Sequence, residues 1–204
     1  MALRLRAGLT LYFARHGQTI ANVQGRFQGR TVDTPLTPVG LKQAHTLATI
    51  LAREVTDPAT LAYVSSPLRR ARKTMEIVLE TLGLPQESAS VDARLAEIDL
   101  GSWDGLTHAE AQALDPIAYD RREHDKWHVR VMGGGESYAD VATRAEQWIG
   151  EIGAGTFAVS HGAFTRILRG LFAGLTWREM SKLDEPQGCI FRVRGNTVDR
   201  LDRT

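Results

Sequence analysis

At 204 residues, 43% hydrophobic and 24% charged, the chain has the make-up of a single globular domain (1–204), not of a disordered or fibrous protein. Its 25 Lys and Arg against 24 Asp and Glu leave a formal charge of +1, too balanced for a general binder of nucleic acid. The single cysteine, Cys189, excludes an intrachain disulfide, and no apolar run approaches the ~18–20 residues of a membrane span. A cytoplasmic protein with no membrane partner, monomeric or homodimeric, is the expectation.

The N-terminus is basic and then apolar, but the apolar part is short and runs directly into Arg15-His16-Gly17. It reads as a first strand, Leu9–Ala14, not as a signal peptide. Residues 18–39 are polar and rich in turn formers. Gly40–Glu54 carries Leu41, Ala44, Leu47, Ala48 and Leu51 at helical spacing, behind Thr37-Pro38 as cap and first turn. Leu61–Val64 reads as a strand ending in Ser65-Ser66-Pro67, followed by a helix over Leu68–Leu82 that Gly83 stops.

Asp104–His128 reads as helical pieces broken at Pro116, part of a lid-like excursion over about 104–135. Ser137–Ile152 is a helix with Val141, Ala145, Trp148 and Ile149 in its apolar stripe. Phe157–Ser160 and Ala163–Phe172 repeat the strand-turn-helix unit around His161-Gly162. A last strand, Cys189–Val193, turns through Gly195-Asn196. Alternating strands and helices predict a three-layer α/β/α sandwich with a mostly parallel sheet and some antiparallel pairing near the end.

Four segments carry residue types suited to an anionic ligand: 15–30, 65–74, 95–105 and 159–162. Arg forks onto phosphate oxygens, and ligands of such sheets sit beyond the carboxyl ends of strands, where both His-Gly turns fall. Read singly, each has a bland explanation: a carbonyl-bonded histidine, a solvated basic helix face, a helix-end carboxylate. Cys189 reads as a buried structural thiol, and His45 and His108 as structural. His124 and His128, four apart, read as an exposed helix face and not as metal ligands.

Taken together the motifs are specific. Arg15-His16-Gly17-Gln18-Thr19 with Asn22, Ser66-Pro67-Leu68-Arg69-Arg70-Ala71, Leu95 and Glu97 with Gly101, Trp103 and Gly105, Gly134–Ser137, and Ser160-His161-Gly162 stand in order. The chain resembles the histidine phosphatase superfamily, the phosphoglycerate mutase-like group, over almost its whole length.

The resemblance implies a metal-independent phosphomonoesterase acting on a small phosphorylated metabolite. His16 would attack phosphorus and carry it as a phosphohistidine, and Glu97 would act as general acid and base. Arg15, Arg70 and His161 would grip the phosphoryl oxygens. Gly17, Thr19, Asn22, Gln28, Gly29 and Gly162 would complete substrate binding. Arg69 and Arg72 are read as solvated or at the site entrance. The segment Arg30–Asp33 is longer than the family's usual run from Gln-Gly to Asp-x-Pro-Leu-Thr.

The alternative is a phosphoglycerate mutase, which would need 2,3-bisphosphoglycerate as cofactor; the phosphatase reading needs none. Chain length, shorter than the glycolytic mutases, and the run Ile98–Gly105, unlike their Arg-His-Tyr-Gly continuation, favour hydrolysis. A binding module that performs no chemistry is a third reading, against which the acid Glu97 speaks.

Overall fold

The computed structural model describes residues 2–202. Its centre is a six-stranded sheet made of β1 (Leu11–Arg15), β2 (Ala62–Ser65), β3 (Ala89–Val91), β4 (Thr156–Ser160), β5 (Ile190–Arg194) and β6 (Thr197–Leu201). The strand order is β3-β2-β4-β1-β5-β6. The four strands from β3 to β1 run parallel, and β5 and β6 add antiparallel pairings at one side.

Strand β1 shows why the sheet is sandwiched. Side chains alternate across a strand, so Leu11 and Phe13 enter one core while Tyr12 and Ala14 enter the other. The first core is closed by α6 (Tyr138–Glu151) and α7 (Gly162–Ala173), the second by α2 (Pro38–Glu54) and α3 (Arg69–Leu82). A strand buried on both faces reads as a continuous apolar run, as LYFA does. Among the described residues no helix is long and apolar enough to cross a membrane.

Register brings the motif turns together. Arg15 pairs with Ser160 across β1 and β4, and Ser65 pairs with Val159 across β2 and β4. The next residues, His16, His161 and Ser66, therefore leave the sheet along one edge, at the carboxyl ends of three neighbouring parallel strands.

The expected 104–135 excursion contains α4 (His108–Leu114) and α5 (Pro116–His124), with Pro116 opening the second helix and Asp115 capping it. A small cluster of Trp103, Ala111 and Val131, flanked by Phe27 and Tyr119, packs this region. Three short elements lie outside the sequence expectations: β3, α1 (Ile20–Val23) and α8 (Trp177–Met180). Both short helices are held by capping boxes, Thr19 with Asn22 and Thr176 with Glu179. His124 and His128 do not share a helix face as expected. Helix α5 ends at His124, and Asp125 folds the chain back by accepting the His128 N–H at 3.0 Å and bonding its Nδ1 at 2.9 Å.

Candidate active site

His16 follows β1 directly and is 2% exposed. Its Nδ1 lies 2.8 Å from the Gly17 carbonyl oxygen. A carbonyl only accepts, so Nδ1 carries the proton and Nε2 keeps its lone pair. Arg70 Nε donates to that lone pair at 3.2 Å. Burial, then the charges of Arg70 and Arg15, hold the imidazole pKa well below its ordinary value against the pull of the Gly17 carbonyl. The ring is neutral, with its nucleophilic nitrogen facing a cation.

The turn around His16 is fixed by backbone contact. The Gly17 N–H donates to Thr74 Oγ1 at 3.0 Å, and a Cβ at Gly17 would fall 2.3 Å from the Gly40 carbonyl oxygen. Gly40 answers in kind, since its Cβ would lie 2.1 Å from the Gln18 oxygen. The two glycines let the loop seat on the first turn of α2. The demand for glycine here comes from chain packing, where the sequence had suggested ligand approach.

Arg70, in the first turn of α3, is almost fully buried and held on all sides. Nη2 donates to the Gln28 and Gly29 carbonyls at 3.1 and 2.8 Å, and Nη1 pairs with Asp33 Oδ1 at 3.1 Å. Asp33 also caps the helix from outside it, taking the Arg69 N–H on Oδ2 at 2.6 Å and the Arg70 N–H on Oδ1 at 3.3 Å. Residue Leu68, at the N-cap position, has no side chain able to do so. Burial lowers the Arg70 pKa, while Glu97 and Asp33 oppose that shift.

The longer segment 30–33 is thus the arm that delivers Asp33. Asp104 shapes this arm by accepting from the N–H groups of Gly29, Thr31 and Val32 at 2.7, 2.7 and 3.1 Å. Burial alone would raise the Asp104 carboxyl, but these bonds and that of the Thr31 hydroxyl hold it below its usual range.

His161, fully buried, lies with its ring centroid 5.1 Å from that of His16. Its Nε2 is 2.6 Å from Ser66 Oγ, and its Nδ1 has no partner among the described residues. The Ser66 hydroxyl already accepts from the Leu68 N–H at 3.3 Å. Nδ1 is thus the ring nitrogen left for a ligand, while Nε2 is occupied by Ser66. Burial and the charges of Arg70, His16 and Arg15 keep this imidazole neutral as well. Helix α7 opens at His161 without a side-chain cap, so its first N–H groups form an anion-attracting end.

Glu97 is 7% exposed. It accepts from the Ile98 N–H at 2.9 Å and the Ala163 N–H at 3.4 Å. Burial, then the charge of Glu185, raises its pKa, and the Ile98 N–H, Arg70 and Arg15 only partly offset this. Its loop is anchored by Glu136 of the Gly-Gly-Glu-Ser segment, which binds the Asp99 N–H at 3.0 Å, Arg30 at 2.8 Å and Arg144 at 3.1 Å. Arg30 Nε in turn holds the Glu97 carbonyl at 2.9 Å.

His16, Arg15, Glu97, Asn22 and Gln28 line one cavity of about 250 Å³. Asn22 Oδ1 is used by the Thr19 N–H and Gln187 Nε2, which leaves its amide nitrogen without a partner among the described residues. The Thr19 hydroxyl donates to Gln28 Oε1 at 2.8 Å, and Gln28 Nε2 donates to Thr34 at 3.1 Å. Thr19, Gln28 and Gly29 thereby hold the loop and Arg70, while Gln28 also borders the cavity. Arg69 and Arg72 lie exposed on α3.

Sequence reasoning did not single out Glu185. Its carboxylate bonds Arg166 at 3.2 Å and approaches Arg15 at 3.7 Å, while its backbone oxygen accepts from Arg15 at 2.7 Å. A Cβ on Gly162 would meet its Oε2 at 2.3 Å, so this carboxylate rests on the N-terminus of α7. No motif includes Glu185 or Asp33, and the motif that includes Ser66 does not reveal its bond to His161; strand order and loop folding bring them there.

This fold and this strand-end cluster are those of a known class: the chain belongs to the histidine phosphatase superfamily (branch 1), which matches residues 11–199. It is 41% identical over 143 residues to the glucosyl-3-phosphoglycerate phosphatase of Mycobacterium tuberculosis, a match covering 70% of this chain and 59% of that protein. The chain thus spans under two thirds of the length of such curated relatives. A putative alpha-ribazole-5'-P phosphatase from Escherichia coli superposes with TM-score 0.82 at 25% identity, covering 97% of both chains. A mycobacterial glucosyl-3-phosphoglycerate phosphatase solved with VO3 gives 0.77 at 30% identity, over 97% of this chain and 100% of that one.

Proposed function

We propose that the chain is a phosphomonoesterase that passes its phosphoryl group through His16. The observation that carries this reading is the pairing of two buried groups in one cavity: an imidazole whose pKa is held low with Nε2 free of protons, and a carboxyl whose pKa burial pushes up. Both shifts favour the forms that nucleophile and acid need.

The phosphoryl group would settle where Arg15 Nε and His161 Nδ1 lack partners within the described chain. Arg15, Arg70 and the α7 N-terminus supply the positive potential that phosphoryl transfer requires. A phosphoryl oxygen takes the Arg70 Nε–H, which frees the Nε2 lone pair for in-line attack. The N–P bond forms as the P–O bond to the alcohol breaks, and Glu97 gives its proton to the leaving oxygen. Water then attacks phosphorus, Glu97 takes its proton, and the N–P bond breaks to release phosphate. The reading calls for no metal and no cofactor.

Substrate identity is proposed only as a class, a small phosphorylated metabolite. Glucosyl-3-phosphoglycerate, named for the mycobacterial relatives, is the first to try. Turnover of 4-nitrophenyl phosphate by the wild type and its loss in His16→Ala tests the reading. Conversion of 3-phosphoglycerate to 2-phosphoglycerate only when 2,3-bisphosphoglycerate is added would instead identify a mutase. No turnover of any ester across pH 4–9, with phosphate still bound, would identify a binding module.

A further inference from the structure

Glu185 lies in the loop between α8 and β5 and borders the same cavity as His16 and Glu97, with its side chain 26% exposed. Its Oε1 pairs with Arg166 Nη2 at 3.2 Å, and its Oε2 stands 3.7 Å from Arg15 Nη1. A Cβ added to Gly162 would meet its Oε2 at 2.3 Å and its carboxyl carbon at 2.7 Å, so the carboxylate lies against the first residue of α7. No side chain caps that helix. Two guanidiniums and an open helix N-terminus are what an anionic phosphoryl group seeks. Beside them His161, fully buried, keeps Nδ1 without a partner among the described residues. A carboxylate of the chain itself thus sits on cations that phosphate needs.

The loop does not depend on this carboxylate. The Glu185 backbone oxygen accepts from Arg15 Nη1 at 2.7 Å, and Gln187 Nε2 donates to the His16 carbonyl at 3.0 Å and to Asn22 Oδ1 at 3.1 Å. Arg166 also holds the Tyr138 hydroxyl, at 2.8 Å. The Oε2 contact with Arg15 is longer than a hydrogen bond and the side chain reaches solvent, so it can rotate away while the backbone stays seated. A carboxylate that served only as a strut would be poorly placed here. It faces Glu97, a second acid in the same cavity, whose pKa its charge pushes up. Asp33 is the contrast, bonding Arg70 at 3.1 Å and two N–H groups at once.

We infer that Glu185 is a built-in competitor of the phosphoryl group: it neutralises Arg15 and Arg166 while the cavity holds no phosphate, gives way to the substrate dianion, and returns to drive product phosphate out. This role rests on the phosphomonoesterase reading and adds how its product leaves. Glu185 touches no bond that forms or breaks; it sets how tightly phosphate is held.

Calorimetric titration of inorganic phosphate at pH 7 into the wild type, Glu185→Gln and Glu185→Asp tests this role. Gln keeps the shape without the charge. Asp keeps the charge on a side chain one methylene shorter, out of reach of the α7 N-terminus. Phosphate should bind Glu185→Gln about 10–100-fold more tightly than the wild type, the range of a charge-assisted hydrogen bond, and Glu185→Asp about threefold or more. With 4-nitrophenyl phosphate, KM and the inhibition constant of phosphate should fall together in Glu185→Gln, and kcat should fall as release slows. A structural glutamate would instead raise KM and lower the unfolding midpoint. Phosphate affinity in Glu185→Gln that is weaker than wild type, or no more than about twofold tighter, overturns the role. So does an Asp variant that binds phosphate like the wild type while the Gln variant binds it more tightly, since repulsion at a distance would then suffice. Absence of ester turnover counts against the phosphomonoesterase reading alone, because the affinities still report on Glu185.

Discussion

Asp33 is the residue whose removal most directly probes how the site is assembled. One carboxylate neutralises buried Arg70 through Oδ1 at 3.1 Å and satisfies the first N–H groups of α3. In Asp33→Ala the helix loses its cap, about 1 kcal/mol. Arg70 loses its carboxylate, which for a buried pair is about 3–5 kcal/mol. The lower end applies, because Nη2 keeps two carbonyls and Nη1 keeps the Val32 carbonyl at 3.4 Å. The sum is about 4 kcal/mol.

Asp33→Asn keeps one acceptor oxygen for Nη1 and the Arg70 N–H but loses the charge and the acceptor of the Arg69 N–H, so a smaller loss than in the alanine variant is expected, roughly 2–3 kcal/mol. Urea unfolding of the three proteins gives the stabilities. Release of Arg70 from His16 should also reduce kcat/KM for 4-nitrophenyl phosphate by about 100-fold in the alanine variant. A loss below about 1 kcal/mol in Asp33→Ala, with activity intact, would refute the dual role.

Other outcomes follow from the same geometry. Gly17→Ala should destabilise by about 3 kcal/mol or more, since its Cβ would meet the Gly40 carbonyl oxygen at 2.3 Å and neither partner is a movable side chain; thermal unfolding reads this. Ser66→Ala should reduce kcat on the order of 10-fold and lower stability by about 1–3 kcal/mol, since buried His161 Nε2 loses its partner and the Leu68 N–H its acceptor; steady-state kinetics with a parallel unfolding curve checks it.

The pH profile of kcat/KM should be bell-shaped. Its acid limb comes from protonation of His16, whose pKa is lowered, and its basic limb from ionisation of Glu97, whose pKa is raised. Glu185→Gln should move the basic limb to lower pH, because it removes a charge that raises Glu97. Stability has its own signature. His16 and His161, whose pKa values are lowered in the native state, make stability rise with pH up to the ordinary histidine range, whereas Glu97, whose pKa is raised, makes it fall with pH above the ordinary carboxylate range. His16→Asn should weaken the rise, which urea unfolding against pH reads.

The layered fold was legible because its strands are short apolar runs separated by amphipathic helices with ordinary caps and stops. Gly83, for instance, ends α3 in the left-handed conformation at φ 69°. Strand β3 was not, since Ala89-Ser90-Val91 is three residues long and owes its place to pairing with β2.

The site divides the same way. His16, Arg70, Glu97 and His161 stand in local motifs, and the sheet register gathers them. Asp33, Glu136, Ser66 and Glu185 act across loops, through partners that no local pattern encodes.

The central claim is that phosphorus passes through His16 Nε2. Rapid mixing with a 32P-labelled phosphoester, an alkaline quench and peptide mapping measures it directly. The account predicts an acid-labile, alkali-stable label on the peptide containing His16 in the wild type, absent in His16→Ala. A wild type that turns over without labelling, or a His16→Ala variant that still turns over, would contradict it.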